Sequence, residues 1–180
     1  KQNQINVRMF TDADGIEEAL YSVCGTGDAP GIMHFSTHGF FFSNPSNSGH
    51  TGNNSLPFAL SNVGMLRSGI VFSGCNRYWT SRKTYNGMQD GILTAYEAAQ
   101  LNLIHTELVV LSACETGLGD LNAEDGVFGL QSAFLQAGAH YVMISMWRVD
   151  DSTTKEFMVK FYQKWLVEHK PIPDAYRETE

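Results

Sequence analysis

Short apolar runs and helical stripes take turns along this chain, and each change of period marks a new element. Ile5 to Phe10 alternates apolar and polar side chains and predicts a strand. From Asp12 to Val23, Ile16, Ala19, Leu20 and Val23 recur with the i, i+3, i+4, i+7 spacing of an amphipathic helix. Gly31-Ile32-Met33-His34-Phe35-Ser36-Thr37 reads as a buried strand that runs out into His38-Gly39. Residues 43–55 are turn formers throughout and predict an exposed loop. Leu56–Leu60 and Ile70–Phe72 predict short strands, a hairpin beside the main sheet.

A second polar stretch, residues 74–90, carries Arg77, Arg82 and Lys83 among Tyr78, Trp79 and Tyr85. Thr94-Ala95-Tyr96-Glu97 has the form of a capping box and opens a helix that ends near Leu101. Leu108-Val109-Val110-Leu111-Ser112-Ala113-Cys114 is a buried strand, followed at once by Glu115-Thr116-Gly117-Leu118-Gly119. Val127, Leu130, Phe134 and Ala137 line one face of the next helix, and Tyr141–Met146 is a further buried strand. Thr153-Thr154-Lys155-Glu156 caps a helix that turns Phe157, Met158, Phe161, Trp165 and Leu166 inward. Pro173 opens a last helix that has barely begun, and the chain starts at a lysine, so a piece of a longer protein is expected. Strand and helix alternate at least three times, which predicts an α/β domain with a mostly parallel sheet covered on both faces.

Composition narrows the partners. The chain has 180 residues, enough for one domain, and is 43% hydrophobic with a net charge of −7. No basic cluster is large enough to track a phosphate backbone, so nucleic acid is not an expected partner. No apolar run approaches the roughly 18 residues of a membrane helix, and nothing at the start resembles a signal peptide, so no membrane partner is expected. Three cysteines, Cys24, Cys75 and Cys114, make no disulfide framework and fit a reducing compartment such as the cytoplasm. No metal is expected: the closest histidines, His34 and His38, lie in a strand-like run where they cannot converge on one ion. No phosphate-binding glycine loop follows any strand, and no cofactor is expected.

The chemistry concentrates at two strand ends. Parallel neighbours ending side by side would bring Cys114 and His38 to one rim, where open α/β sheets bind their ligands. A free thiol titrates near about 8.5 and needs a partner to be mostly thiolate at neutral pH, so the pair reads as a nucleophile and its acid–base partner. Glycines at 117 and 119 let backbone N–H groups approach an oxyanion. The plainer alternative, that Cys114 is one more buried core cysteine, stays open on these grounds. Cys24 and Cys75 have no histidine at a matching strand end and read as bystanders.

His-Phe-Ser-Thr-His-Gly ending at Gly39 and Leu-Ser-Ala-Cys-Glu-Thr-Gly-Leu-Gly around Cys114 closely resemble the two signatures of CHAT domains, relatives of separase, caspases and gingipains. Asp90-Gly91-Ile92-Leu93-Thr94-Ala95-Tyr96-Glu97, Glu124-Asp125-Gly126-Val127 and Met146-Trp147-Arg148-Val149-Asp150-Asp151 extend the resemblance, although Arg148 stands where many members carry proline. It implies a caspase-like three-layer sandwich with a central sheet of about six strands and helices on both faces. It also implies a His38–Cys114 dyad, with the backbone N–H groups of Gly39 and Cys114 lining the oxyanion hole. A protein or peptide substrate and a regulatory sensor or repeat domain are the implied partners. Separase-like relatives cut after basic residues through an acidic pocket; Asp150, Asp151, Glu115 and Asp120 are the positions for it here, with Trp147 as a wall.

The leading expectation is a regulated cysteine endopeptidase, and the competing one a catalytically silent caspase-like interaction module. An Asp before Thr153 is also an ordinary helix cap, which competes with a substrate role for Asp150 and Asp151. An α/β hydrolase with a cysteine nucleophile fits less well, because the Gly-x-Cys-x-Gly elbow is absent and His38 precedes Cys114. An enzyme directed at Arg or Lys could also cut itself near Arg77, Arg82 or Lys83; a solvated loop with incidental charges is the plainer reading of that stretch.

Overall fold

Four consecutive aliphatic side chains can be satisfied only between two covered faces, and that is where Leu108 to Leu111 lies. The structure, a computed structural model, describes residues 5–25, 29–42, 61, 63–84, 88–112, 124–145 and 151–180. Its strands are β1 (Ile32–Phe35), β2 (Gly39–Phe41), β3 (Ser68–Val71), β4 (Ile92–Thr94), β5 (Leu108–Leu111) and β6 (Tyr141–Ile144). Its α-helices are α1 (Glu17–Cys24), α2 (Cys75–Ser81), α3 (Ala95–Ala98), α4 (Glu124–Gln136), α5 (Asp151–Tyr162) and α6 (Ile172–Arg177).

The strands form two sheets. β1, β5 and β6 are parallel in the order β1-β5-β6, and β2, β3 and β4 are antiparallel in the order β2-β3-β4. The α/β class and the parallel sheet are as the sequence predicts. Among the described residues the parallel sheet has three strands, and the other three pair with one another in a separate sheet. The reason is local: the chain leaves β1 at Ser36 and returns through β2 against β3, so Gly39 faces Ile70 and Phe41 faces Ser68. The strand at residue 70 thus has partners on both sides; residues 56–60, expected beside it, lie outside the described residues.

β5 sits at the centre of its sheet, and none of its side chains is more than 2% exposed. The registers Met33↔Val109↔Val142 and Phe35↔Leu111↔Ile144 set these six side chains on one face. That face packs with Leu20 and Cys24 of α1 and with Leu130, Ala133 and Phe134 of α4 in one apolar core. Phe134 meets the Phe35 ring at 5.8 Å.

The predicted capping box exists. Thr94 accepts from the Glu97 N–H, and the Glu97 carboxylate accepts from the Thr94 N–H at 2.8 Å, which starts α3. The first helix is shorter than the stripe suggests, because Gly15 separates a 3-10 turn, Asp12–Asp14, from α1. Ile5 to Phe10 does not form a strand: Ile5, Val7 and Met9 are 52%, 72% and 79% exposed. Alternation makes a sheet only where a ladder partner exists, and none is found for it among the described residues.

Residues 148–180 form a unit of their own, separate from residues 1–147. α5 continues into a π-helical turn, Gln163–Val167, before α6. Phe161 stacks near Trp165 at 5.9 Å, Phe157 meets Tyr176 edge-on at 5.6 Å, and Glu178 pairs with both Lys164 and Lys170. Among the described residues, no helix is long and apolar enough to cross a membrane.

Two features hold the antiparallel sheet in place. A methyl group at Gly69 would sit 2.3 Å from the Leu93 carbonyl oxygen and 2.8 Å from the Phe40 ring. Glu17, only 1% exposed, accepts from the Gly91 N–H at 3.0 Å, while Glu18 accepts from the Gln89 N–H at 2.6 Å, so α1 holds the lead-in to β4. Burial, with Asp90 and Glu97 adding repulsion, raises the Glu17 carboxyl from 4.5 to about 7, against the pull of its Gly91 and Tyr21 hydrogen bonds.

Gly69→Ala is expected to destabilise the fold by on the order of 1–3 kcal/mol through backbone displacement, read by urea unfolding. Glu17 gives a pH dependence of known sign. A carboxyl whose folded pKa lies above its unfolded value stabilises below the unfolded value and loses that contribution as pH rises through the folded one. Stability is therefore expected to fall between about pH 4.5 and 7. Glu17→Gln should remove that slope and gain up to roughly 2–3 kcal/mol at pH 8; urea midpoints of wild type and variant that run parallel from pH 5 to 8 would refute this.

Candidate active site

The site grows from the register between β1 and β5. Ile32 lies beside Leu108 and Phe35 beside Leu111, and the Ser112 N–H donates to the Phe35 carbonyl at 2.9 Å. The two chains therefore leave the sheet in step, at the same rim. His38 is as far past Phe35 as Cys114 is past Leu111 in the sequence.

His38 is exposed, and its backbone is fixed. Its carbonyl accepts from the Val71 N–H at 2.9 Å, and the neighbouring Thr37 hydroxyl donates to the Val71 carbonyl at 2.5 Å. Both bonds fasten the link between β1 and β2 onto the end of β3. The same ladder decides where the Gly39 amide points. Antiparallel pairing alternates, and bonds run from Val71 to His38 and from Phe42 to Arg67 at 2.8 Å. Gly39 and Ile70 thus form a non-hydrogen-bonded pair, and the Gly39 N–H is directed away from β3. Among the described residues no hydrogen bond is found to that N–H.

Cys114, Glu115, Asp120, Trp147 and Asp150 lie outside the described residues. Asp151 is the first residue of α5. The structure thus brings His38 and Gly39 together at one rim, beside the strand that leads to Cys114.

The other thiols are poorly suited to attack. Burial pushes Cys24 up to about 11. Cys75 is raised as well, by burial first and by Asp90, against a hydrogen bond to Asn76. A thiol pushed as high as that of Cys24 is almost all protonated at neutral pH. Among the described residues no group of His, Cys, Asp or Glu side chains could hold a metal ion.

Three features were not legible in the sequence. His34, in the middle of β1, joins Ser112 through Nε2 and Oγ at 2.9 Å, and desolvation lowers its pKa. Its place in an apolar run was the available signal. The polar stretch from residue 74 holds a helix, α2, which starts from a left-handed Gly74 with no side-chain cap to announce it. Arg77 lies inside that helix, Arg82 closes it at φ 56°, and Lys83 follows, exposed. Trp79 of α2 stands 6.0 Å from the Phe40 ring and 6.2 Å from Phe42, on the outer face of β2. Phe40 and Phe42 sit at the i, i+2 spacing that a strand places on one face, which was the signal for that half of the group.

Two curated relatives match part of the chain: tetratricopeptide repeat protein 28 of Homo sapiens at 38% identity and that of Mus musculus at 37%. Each match covers 79 residues, 44% of this chain and 3% of the relative, so the chain spans a small part of the relatives' length. No solved structure matches. A family profile described as CHAT domain matches residues 1–180. With that match running the whole length of the chain, over an α/β fold whose parallel sheet includes the strand before His38, the chain belongs to the CHAT domain family, whose domains are related to caspase-like cysteine peptidases.

Proposed function

We propose that the chain is a cysteine endopeptidase domain in which Cys114 attacks the substrate and His38 moves the protons. The observation that carries this reading is the β1–β5 register, which sends the strand before His38 and the strand before Cys114 out of one rim in step. The Gly39 amide, turned away from β3 in a buried residue, supports a second part of it. An N–H left out of its ladder next to the histidine is a donor suited to an oxyanion, with the Cys114 N–H as the other.

The reaction follows from these groups. The Cys114 thiolate adds to the scissile carbonyl carbon, and the electron pair of the C=O bond moves to oxygen, stabilised by the two N–H donors. The tetrahedral intermediate collapses, the C–N bond breaks, and His38 gives the departing amine its proton. Water then attacks the thioester as His38 takes its proton, and the second tetrahedral intermediate breaks its C–S bond, releasing the carboxylic acid and restoring the Cys114 thiolate beside protonated His38. Burial pushes the Cys24 thiol up to about 11 and raises that of Cys75, which favours Cys114 as the nucleophile.

A basic residue is the preferred P1 side chain in this reading, met by Asp150 and Asp151, with Glu115 and Trp147 as further contacts. The name of the curated relatives suggests the regulatory setting: tetratricopeptide repeats joined to this domain would sense a signal or partner and release its activity.

Peptide acyloxymethyl ketones with Arg, Leu or Asp at P1 test the chemistry. Intact and peptide mass spectrometry should show one adduct, on Cys114, that is lost in His38→Ala, with Cys24 and Cys75 as controls for plain thiol reactivity. Equal modification of all three cysteines would favour the silent interaction module. If the acidic pocket is correct, Asp150→Asn or Asp151→Asn should lower the Arg-over-Leu preference about tenfold or more, a difference of roughly 1.4 kcal/mol. Unchanged preference in both single variants and in the double variant would remove those residues from the pocket.

A further inference from the structure

His34 is the one polar side chain in Ile32-Met33-His34-Phe35, and the apolar core has no use for it. Register explains where it goes. His34 lies beside Val110, so the next side chain along on the same face of the neighbouring strand is that of Ser112. Nε2 and Oγ meet at 2.9 Å, a good hydrogen-bond distance. His34 is exposed, and partial desolvation lowers its pKa.

This contact stands at the end of the described β1–β5 ladder. Past Phe35 and Leu111 the only backbone bond found between the two strands, among the described residues, is Ser112 N–H to the Phe35 carbonyl. On the far side of β5, the Ser145 N–H reaches the Leu111 carbonyl at a long 3.4 Å. Ser112 is separated from Cys114 by Ala113 alone, and His34 is on the strand that ends in His38.

We propose that the His34–Ser112 hydrogen bond is a positioning strap that ties the strand leading to Cys114 to the strand leading to His38, and so limits how far the two chain exits can part. The meaning of the strap for catalysis rests on the peptidase reading above; its mechanical role concerns β1 and β5 alone. His34 and Ser112 are positioning residues: they act through the backbone that carries the dyad.

The test combines hydrogen exchange with labelling on the full chain, for wild type, Ser112→Ala, His34→Gln, the double variant and Ser112→Thr. Peptides covering residues 32–39 and 108–116 are expected to exchange about tenfold faster in Ser112→Ala, with other peptides unchanged. The rate of Cys114 labelling by the best acyloxymethyl ketone is expected to fall by a similar factor. The double variant should be no worse than the worse single variant, because both remove one contact. Ser112→Thr keeps the hydroxyl and should restore both readouts, which loss of packing alone would not do. Exchange in Ser112→Ala equal to wild type at both strand ends overturns the strap whatever the activity. Labelling that is strong in wild type and equally strong in Ser112→Ala overturns its positioning role. If wild type does not label at Cys114 while Ser112→Ala still exchanges faster at both ends, the peptidase reading fails and the strap stands.

Discussion

The parallel pairing of β1 with β5 is the constraint on which the rest of this molecule depends. It fixes which side chains share a face, and therefore which residues meet α1 and α4 in the core. A slip of one residue would turn Met33 and Phe35 to the opposite face and bring His34 into the apolar cluster. The same pairing fixes the rim. Because Phe35 and Leu111 are partners, whatever follows them emerges at one level, and a reaction site built from both exits inherits its geometry from the ladder. Close packing around β5 makes that geometry expensive to disturb: an aliphatic run buried on both faces has no alternative register that keeps it dry.

The antiparallel sheet does a different job. It takes the chain immediately after His38 and holds it through the bonds to Val71, so the histidine's backbone is anchored although its side chain is exposed. Its own position is set from below by α1. Two carboxylates at the start of that helix grip the N–H groups of Gln89 and Gly91, and Gly91 itself takes φ 77° with the Cys75 backbone too close for any side chain. Keeping Glu17 buried near Asp90 and Glu97 works against stability at high pH, and the gain is a fixed entry to β4. A chain of contacts therefore runs from α1 through β4 and β3 to the backbone of His38.

Much of this was legible because hydrophobic period and caps are local. The strands at residues 32, 108 and 141 are runs that cannot be placed elsewhere, and the Thr94–Glu97 box announces α3 in four residues. What was not legible depends on partners far away in sequence. Ile5–Phe10 has strand alternation but no ladder among the described residues, since alternation records a preference and pairing records a neighbour. α2 has neither a cap nor a long apolar stripe; it is held by Trp79 against Phe40 and Phe42, rings from another strand. Glu17 reads as an ordinary acidic residue in a first helical turn, and only the fold shows that it is enclosed. At the candidate site the two signatures were plain in the sequence, while the outward direction of the Gly39 amide needed the β2–β3 register.

That asymmetry bears on how the site should be judged. A cysteine at a strand end is compatible with a purely structural role, because a thiol packs as a small apolar group. A histidine in mid-strand, exposed and facing a serine, is a different case: what its ring meets on the neighbouring strand is a hydroxyl and not apolar packing. His34 and Ser112 join β1 and β5 just below the points where the two strands leave the sheet. In the proposed reading, where the dyad is split between these two strands, that hydrogen bond would hold the spacing of their exits.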